Sequence, residues 1–325
     1  MKASARTISL LLVMCGAGLS AYAVAQGFPS RTVRVVVPVA AGGTQDIVTR
    51  SIAQKLTEQL GQQVIVDNRP SASGVVGVEY VVRAPPDGYT YLAASNSQIS
   101  APTVVRNISY DVTRDFVGVS LLARVPFVLV INPHIPVRSV KELISLAKRR
   151  PNELTYGSAG NGTGAHFATE LFSHLAAIRM THVPYKGNAP ALVDVLGGQI
   201  SMLFDTLNTS IQHIQTGKVR GLGVSSAKRS PVFPDMPTIG EAGLSGYELG
   251  VFNTLLAAAG TPREIVLRMH AEIARAVQQP DLRDHYLKQG VELSASVAAD
   301  ECSAFVKTET AKYARIAQEA GIQPN

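Results

Sequence analysis

Twice in this chain an apolar, β-branched run gives way to small residues and then to a helical pattern, and that unit restricts the fold more than any other feature. The first copy is Val33-Arg34-Val35-Val36-Val37-Pro38, then Ala40-Ala41-Gly42-Gly43-Thr44, with a helix expected from Gln45. The second is Leu154-Thr155-Tyr156-Gly157-Ser158, then Ala159-Gly160-Asn161-Gly162-Thr163-Gly164-Ala165-His166, ahead of the periodic Phe167, Leu171, Phe172 and Leu175. Strands buried on both faces of a parallel sheet read as continuous apolar runs. Glycine lets backbone approach a ligand with no Cβ in the way. The helix that follows offers unpaired amides and the positive end of its dipole, which favour an anion. Two such units, far apart in sequence, fit two jaws closing on one small anion.

Other chemistries of the same stretch fail their own tests. Gly160-Asn161-Gly162-Thr163-Gly164-Ala165 has the form of a dinucleotide-binding turn, which wants an acidic residue at the end of the next strand. The next strand, Met180-Thr181-His182-Val183, runs into Pro184-Tyr185-Lys186 with no acid. A hydrolase elbow needs glycine two places before the serine, where Ser158 has Tyr156. His166, Glu170 and His174 share a helical face, but they lack the H-E-x-x-H order and any thiolate partner, so no metal is expected. No cofactor is expected either.

Read in order, the chain alternates strand and helix. Strands are expected at Val33–Pro38, Val64–Val66 and Tyr89–Ala94, with helices at Gln45–Leu60 and Val75–Val82. This is the start of a doubly wound sheet, whose ligands bind beyond the carboxyl ends of the strands. The long apolar stretch Phe116–Ile131 reads as a strand crossing to a second domain, and Val251–Ala259 as the return. Thr261 caps, and Pro262 opens, a helix to about Val277. A last helix, Ala298–Ala320, is expected to pack back on the first domain. The expectation is an α/β chain of two lobes with a cleft and a hinge: residues 26–122 with 250–325 as one lobe, 123–249 as the other.

At 325 residues with 46% hydrophobic and 17% charged, the chain has the composition of a well-cored globular protein. The net charge of +6 comes from scattered basic residues; the densest run, Lys148-Arg149-Arg150, closes a helix, where cations suit the dipole. There is no Trp and no basic–aromatic stripe, so nucleic acid is not an expected partner. Residues 1–25 read as a secretory signal: Lys2 and Arg6, an apolar core from Ile8 to about Leu19, then Ala21, Ala23 and Ala25. Cys15 belongs to that core. Cys302 is left alone and shares a helical face with Phe305, Tyr313 and Ile316, the place of a buried core thiol.

Taken together, Pro38-x-x-x-Gly42-Gly43-x-x-Asp46-x-x-x-Arg50, Pro85-x-Asp87-Gly88-Tyr89-Thr90, Tyr156-Gly157-Ser158-x-Gly160-x-Gly162-x-x-x-His166, Val183-Pro184-Tyr185-Lys186-Gly187 and Leu196-Gly197-Gly198-Gln199 resemble the Bug (TctC-like) extracytoplasmic solute receptors, across essentially the whole mature chain. The resemblance implies a two-lobed, periplasmic-binding-protein-like fold of type II, the Venus flytrap. It also implies a monomeric periplasmic receptor that captures a small carboxylate, whether a di- or tricarboxylate, an amino acid or an aromatic acid. The ligand then passes to the membrane permease of a tripartite tricarboxylate transporter. Ligand contacts are expected from Ala41, Gly42, Gly43, Thr44 and Ser95 in one lobe, and from Ser158, Gly160, Asn161, Thr163, His166 and Asp205 in the other. Asp46 is expected to shape its loop first and touch ligand second. Phe252 and Asn253 are expected on the hinge side of the cleft. The competing readings are a secreted enzyme acting on a small acid through His166 with Ser158, and a ligand sensor for a two-component system.

Overall fold

In a computed structural model that describes residues 27–324, one sheet of ten strands runs through the molecule in the order β2-β1-β3-β9-β4-β7-β5-β6, with β8 and the two-residue β10 (Glu292–Leu293) pairing β4 off that path. The strand that organises it is β4 (Phe116–Ile131). Through Phe116–Pro126 it pairs antiparallel with β9 (Gly250–Ala258), and from Phe127 to Ile131 it pairs with β7 (Met202–Thr206) and β8 (Arg220–Val224). Pro126 has no amide to give a ladder, and at Phe127 the amide turns to the Ser225 hydroxyl at 2.8 Å. One strand thus serves two half-sheets, and the partners change at Pro126/Phe127.

The first half-sheet sets β1 (Val33–Val37) in parallel between β2 (Val64–Asn68) and β3 (Thr90–Ser95), with β9 antiparallel to β3. In the second, β5 (Thr155–Ser158) lies parallel to β7 and β6 (Thr181–Pro184). These are the two α/β lobes of a periplasmic-binding-protein-like fold. The expected helices form: α1 (Thr44–Leu60) stops at Gly61, whose positive φ of 65° lets its amide bond Thr57 O at 3.1 Å. Apolar β1 is sealed between Val48, Ile52 and Leu56 of α1 on one face and Val78 and Val81 of the short helix Val75–Val82 on the other.

Several local expectations need correction. Thr261 does not cap the helix Arg263–Val277, because its hydroxyl donates to Ala258 O at 2.7 Å. The helix Pro280–Lys288 has no counterpart in the sequence reading; its mean composition is too polar for the apolar periodicity to show. The last helix (Ala299–Ala320) packs on both lobes, not on the first alone. Its Val306 and Ile316 join the core that includes Val78 and Ile99 of the first lobe, while Tyr313 meets Phe167 of the second edge-on, at 4.9 Å between ring centroids. Cys302 on this helix is fully buried, and burial pushes its thiol up to about 12. No helix among the described residues is long and apolar enough to cross a membrane. The expected signal segment lies outside the described residues.

Candidate functional site

The first loop is built by Asp46, in the opening turn of α1 and only 2% exposed. Its carboxylate accepts the Gly42 amide at 2.9 Å, Asn68 Nδ2 at 2.9 Å and Arg50 Nε at 3.0 Å. Burial opposes its ionisation, but these donors outweigh burial and hold its pKa below the usual carboxylate value. With its lone pairs taken, Asp46 is a loop-former. Gly42 sits at φ +90°, a conformation that side chains rarely adopt, so the loop needs glycine there. Gly43 provides no side-chain cap, which leaves the first amides of α1 open beside the half-exposed Thr44.

The second loop is tied from inside. Ser158, fully buried, places its hydroxyl 3.1 Å from the Gly160 amide and 2.7 Å from His182 Nε2. Gly160 and Gly162 take φ of +127° and +72°. The Gly162 amide donates to His166 Nδ1 at 3.0 Å, so that nitrogen carries no proton and Nε2 holds it. Thr163 turns its hydroxyl back to Gly160 O at 2.8 Å, which leaves the helix Gly164–Ala176 without a side-chain cap. Asn161 is exposed at the loop tip. It lines a cavity of about 290 Å³ with His166, Glu170 and the C-terminal residues Gly321–Gln323.

Behind this loop, His166 stacks on His182 at 4.3 Å and His182 on Tyr156 at 4.7 Å. Burial, and secondarily His182, lower the His166 pKa to about 4; burial lowers His182 as well. Burial raises Glu170, which accepts a hydrogen bond from the Tyr156 hydroxyl. His166 therefore acts as a neutral acceptor that holds the loop. It bonds Gly162 and not Ser158, whose histidine partner is His182, so the Ser158–His166 pairing required by the enzyme reading is not formed. His174 reaches Glu319 at 3.6 Å and takes no part.

Asp205 is fully buried on β7. It accepts from Asn188 at 2.8 Å, Thr209 at 2.5 Å and Ser210 at 2.7 Å, and so fixes the first turns of the helices Asn188–Gly197 and Leu207–Gln215. Ser95 gives its hydroxyl to Gln98 Oε1 at 2.9 Å. Both side chains support the site from behind. Phe252, expected on the cleft, faces the other way: its ring meets Phe305 edge-on at 4.9 Å. Successive strand residues point to opposite faces, so Phe252 and Asn253 could not both line one cleft. Asn253 stands opposite Ser95 in the ladder and is 1% exposed.

The lobes touch. Asn208 Nδ2 of the second lobe reaches Thr44 Oγ1 of the first at 3.3 Å, joining the first turns of two helices. A Cβ built on Gly164 would lie 2.4 Å from Asn96 Nδ2, and one on Gly162 would lie 2.4 Å from Val104 Cγ1. Asn188, Asn208 and Asn253 each keep a buried Oδ1 with no hydrogen-bond partner among the described residues. Asn188 and Asn208 each give one Nδ2 hydrogen to Asp205 or Thr44 and keep the second, and the Asn253 amide can turn over, so these asparagines supply neutral donors or acceptors. The sequence reading did not single out Asn188 or Asn208; Asn208, like Thr44, stands in the first turn of a helix that follows a strand.

Two α/β lobes hinged at β4 and β9, with helix N-termini from both brought together, define a solute-binding protein of the periplasmic type. Its residues 48–322 match the tripartite tricarboxylate transporter family receptor profile, and the chain belongs to that family, a family of solute-binding receptors. It is 33% identical to BugT of Bordetella pertussis, over 94% of this chain and 94% of that protein. Among solved structures it resembles Rpa4515 of R. palustris with adipate (38% identity, TM-score 0.79, covering 92% of this chain and 100% of that one). It also resembles MatC of Rhodopseudomonas palustris with bound malate (30% identity, TM-score 0.76, covering 89% and 100%).

Proposed function

We propose that this protein is a periplasmic receptor, exported by the signal at residues 1–25, that closes as a monomer on a small carboxylate and delivers it to the membrane permease of a tripartite transporter. The observation that carries this reading is the Asn208–Thr44 contact, which joins two helix starts that no side chain caps. A carboxylate between the lobes receives backbone amides from Gly43–Thr44 and from Gly164, and side-chain amides from Asn208 and Asn253. Its charge is balanced by helix dipoles. The lobes that move are residues 26–122 with 250–325 and residues 123–249, a division supported by the exchange of strand partners at Pro126/Phe127. Adipate and malate, carried by relatives, are the first probes. The protein binds and releases its ligand unchanged; the buried, internally bonded Ser158 and His166 favour binding over catalysis. Isothermal titration with adipate and malate tests this: one acid binds at one equivalent and Asn208→Leu weakens it at least ten-fold. No binding of any small di- or tricarboxylate, amino acid or aromatic acid would overturn it.

A further inference from the structure

A second cavity, of about 350 Å³, lies at the hinge itself. Its volume is within the range of small-molecule sites. Its floor is Arg124, Phe252 and Pro126 on the crossing strands, and Phe305 of the last helix closes one side. Its far wall, the loop Ser226–Pro231, belongs to the other lobe. Phe252 and Asn253 are neighbours on β9 and point to opposite faces, so this cavity lies on the face of β9 away from Asn253.

The charge inside the cavity is positive. Arg124 stands opposite both Phe252 and Glu292 in the ladders and lies over the Phe305 ring at 4.7 Å from its centroid. Its guanidinium makes no hydrogen bond or ion pair with any described residue. Of the other charged lining residues, Lys312 is held by Glu309 at 2.6 Å and Arg229 by Glu241 at 2.8 Å, while Lys228, Glu248 and Glu292 are exposed. Arg124 is half-buried. A planar guanidinium with free donors, lying over the Phe305 ring and across the ladder from Phe252, is the complement of a carboxylate on a flat apolar body.

We propose that the hinge cavity is a second ligand site, taking an arylalkanoate whose carboxylate pairs with Arg124 and whose ring packs on Phe252 and Phe305. Because its walls stand on both sides of Pro126 and Gly250, its shape depends on the angle between the lobes. An occupant fitted to it in the present arrangement, where Thr44 and Asn208 touch, favours that arrangement, and by linkage it tightens ligand binding in the cleft. This coupling rests on the receptor reading; binding to the cavity does not.

The test is calorimetric titration of the mature protein with 3-phenylpropionate. The site predicts one equivalent bound, with affinity cut ten-fold or more by Arg124→Gln and at most a few-fold, through the coupling alone, by the cleft variant Asn208→Leu. The ligand-side control, 3-phenylpropanamide, lacks the carboxylate and should not bind the wild-type protein, whether or not Arg124→Gln folds well. Absence of binding up to millimolar acid, equal binding of the amide, loss in Asn208→Leu, or displacement by adipate each overturns the site. With the site occupied, adipate should bind several-fold tighter; an unchanged adipate affinity overturns the coupling and leaves the site, and an adipate-silent protein strikes the receptor reading alone.

Discussion

Replacing Gly162 by alanine separates closure of the lobes from stability of either lobe. Gly162 sits at φ +72°, so an alanine there costs about 1–2 kcal/mol of backbone strain in any state of the protein. The clash is different. The new Cβ would stand 2.4, 2.6 and 2.7 Å from Val104 Cγ1, Cγ2 and Cβ, well inside the roughly 3.5–4.0 Å at which carbon atoms attract. Val104 is 6% exposed in the first lobe's core and has little room to yield. Overpacking of this kind costs about 1–3 kcal/mol, and it falls only on the closed arrangement. Ligand affinity should therefore drop about 5- to 150-fold, beyond the strain seen in the melting temperature. Val104→Ala removes the two nearest of those three atoms, so the double variant should recover part of the affinity while keeping the strain. Titration with adipate, beside thermal melts of all three variants, decides it. Gly162→Ala binding at wild-type affinity, or a double variant no better than the single, would refute the lobe contact.

Acid should weaken the protein through His166. Its pKa of about 4 lies below the ordinary 6.5, so the unfolded chain binds a proton that the fold refuses. Stability is full above the unfolded value and is lost as pH falls from about 6.5 towards 4, by at most about 3 kcal/mol from this group. Glu170, raised by burial, runs the other way and tempers the lower end. Melts at pH 7.5, 5.5 and 4.5 should fall in that order, and His166→Gln should flatten the upper part of the profile; a rising or flat wild-type series refutes the assignment. Asp46→Ala leaves the Gly42 amide and Asn68 without their acceptor and should cost about 1–3 kcal/mol in urea unfolding, against a null effect if the loop shapes itself. Phe252→Leu should lower stability by about 1 kcal/mol without altering adipate binding; a large affinity change would place Phe252 on the cleft after all.

Much of the architecture was legible because its causes are local. Val33–Val37 is apolar at every second and third position alike, which only a strand covered on both faces tolerates, and Gly61 marks a helix stop that its φ of 65° confirms. The glycine loops could be placed for the same reason. What the sequence did not carry was which polar group bonds which. Ser158, His166 and Asp205 sit where a ligand contact was expected, yet each is taken up by the protein itself: Ser158 by the distant His182, Asp205 by the distant Asn188 and the nearby Thr209 and Ser210, and His166 by the Gly162 amide four residues back. Asn208 escaped notice because its importance comes from Thr44, a residue of the opposite lobe. Strand alternation alone would have separated Phe252 from Asn253. The last helix needed the packed structure: its apolar stripe serves two lobes, and periodicity shows that a face is buried without saying against what.

The most direct measurement is native mass spectrometry of the protein taken from the periplasm, followed by denaturation and identification of what is released. The account predicts one small carboxylate at near-unit stoichiometry on a monomer lacking its first residues, lost in Asn208→Leu. A protein that retains nothing and whose melting temperature no carboxylate shifts, or one that releases a chemically altered form of an added acid, would contradict it.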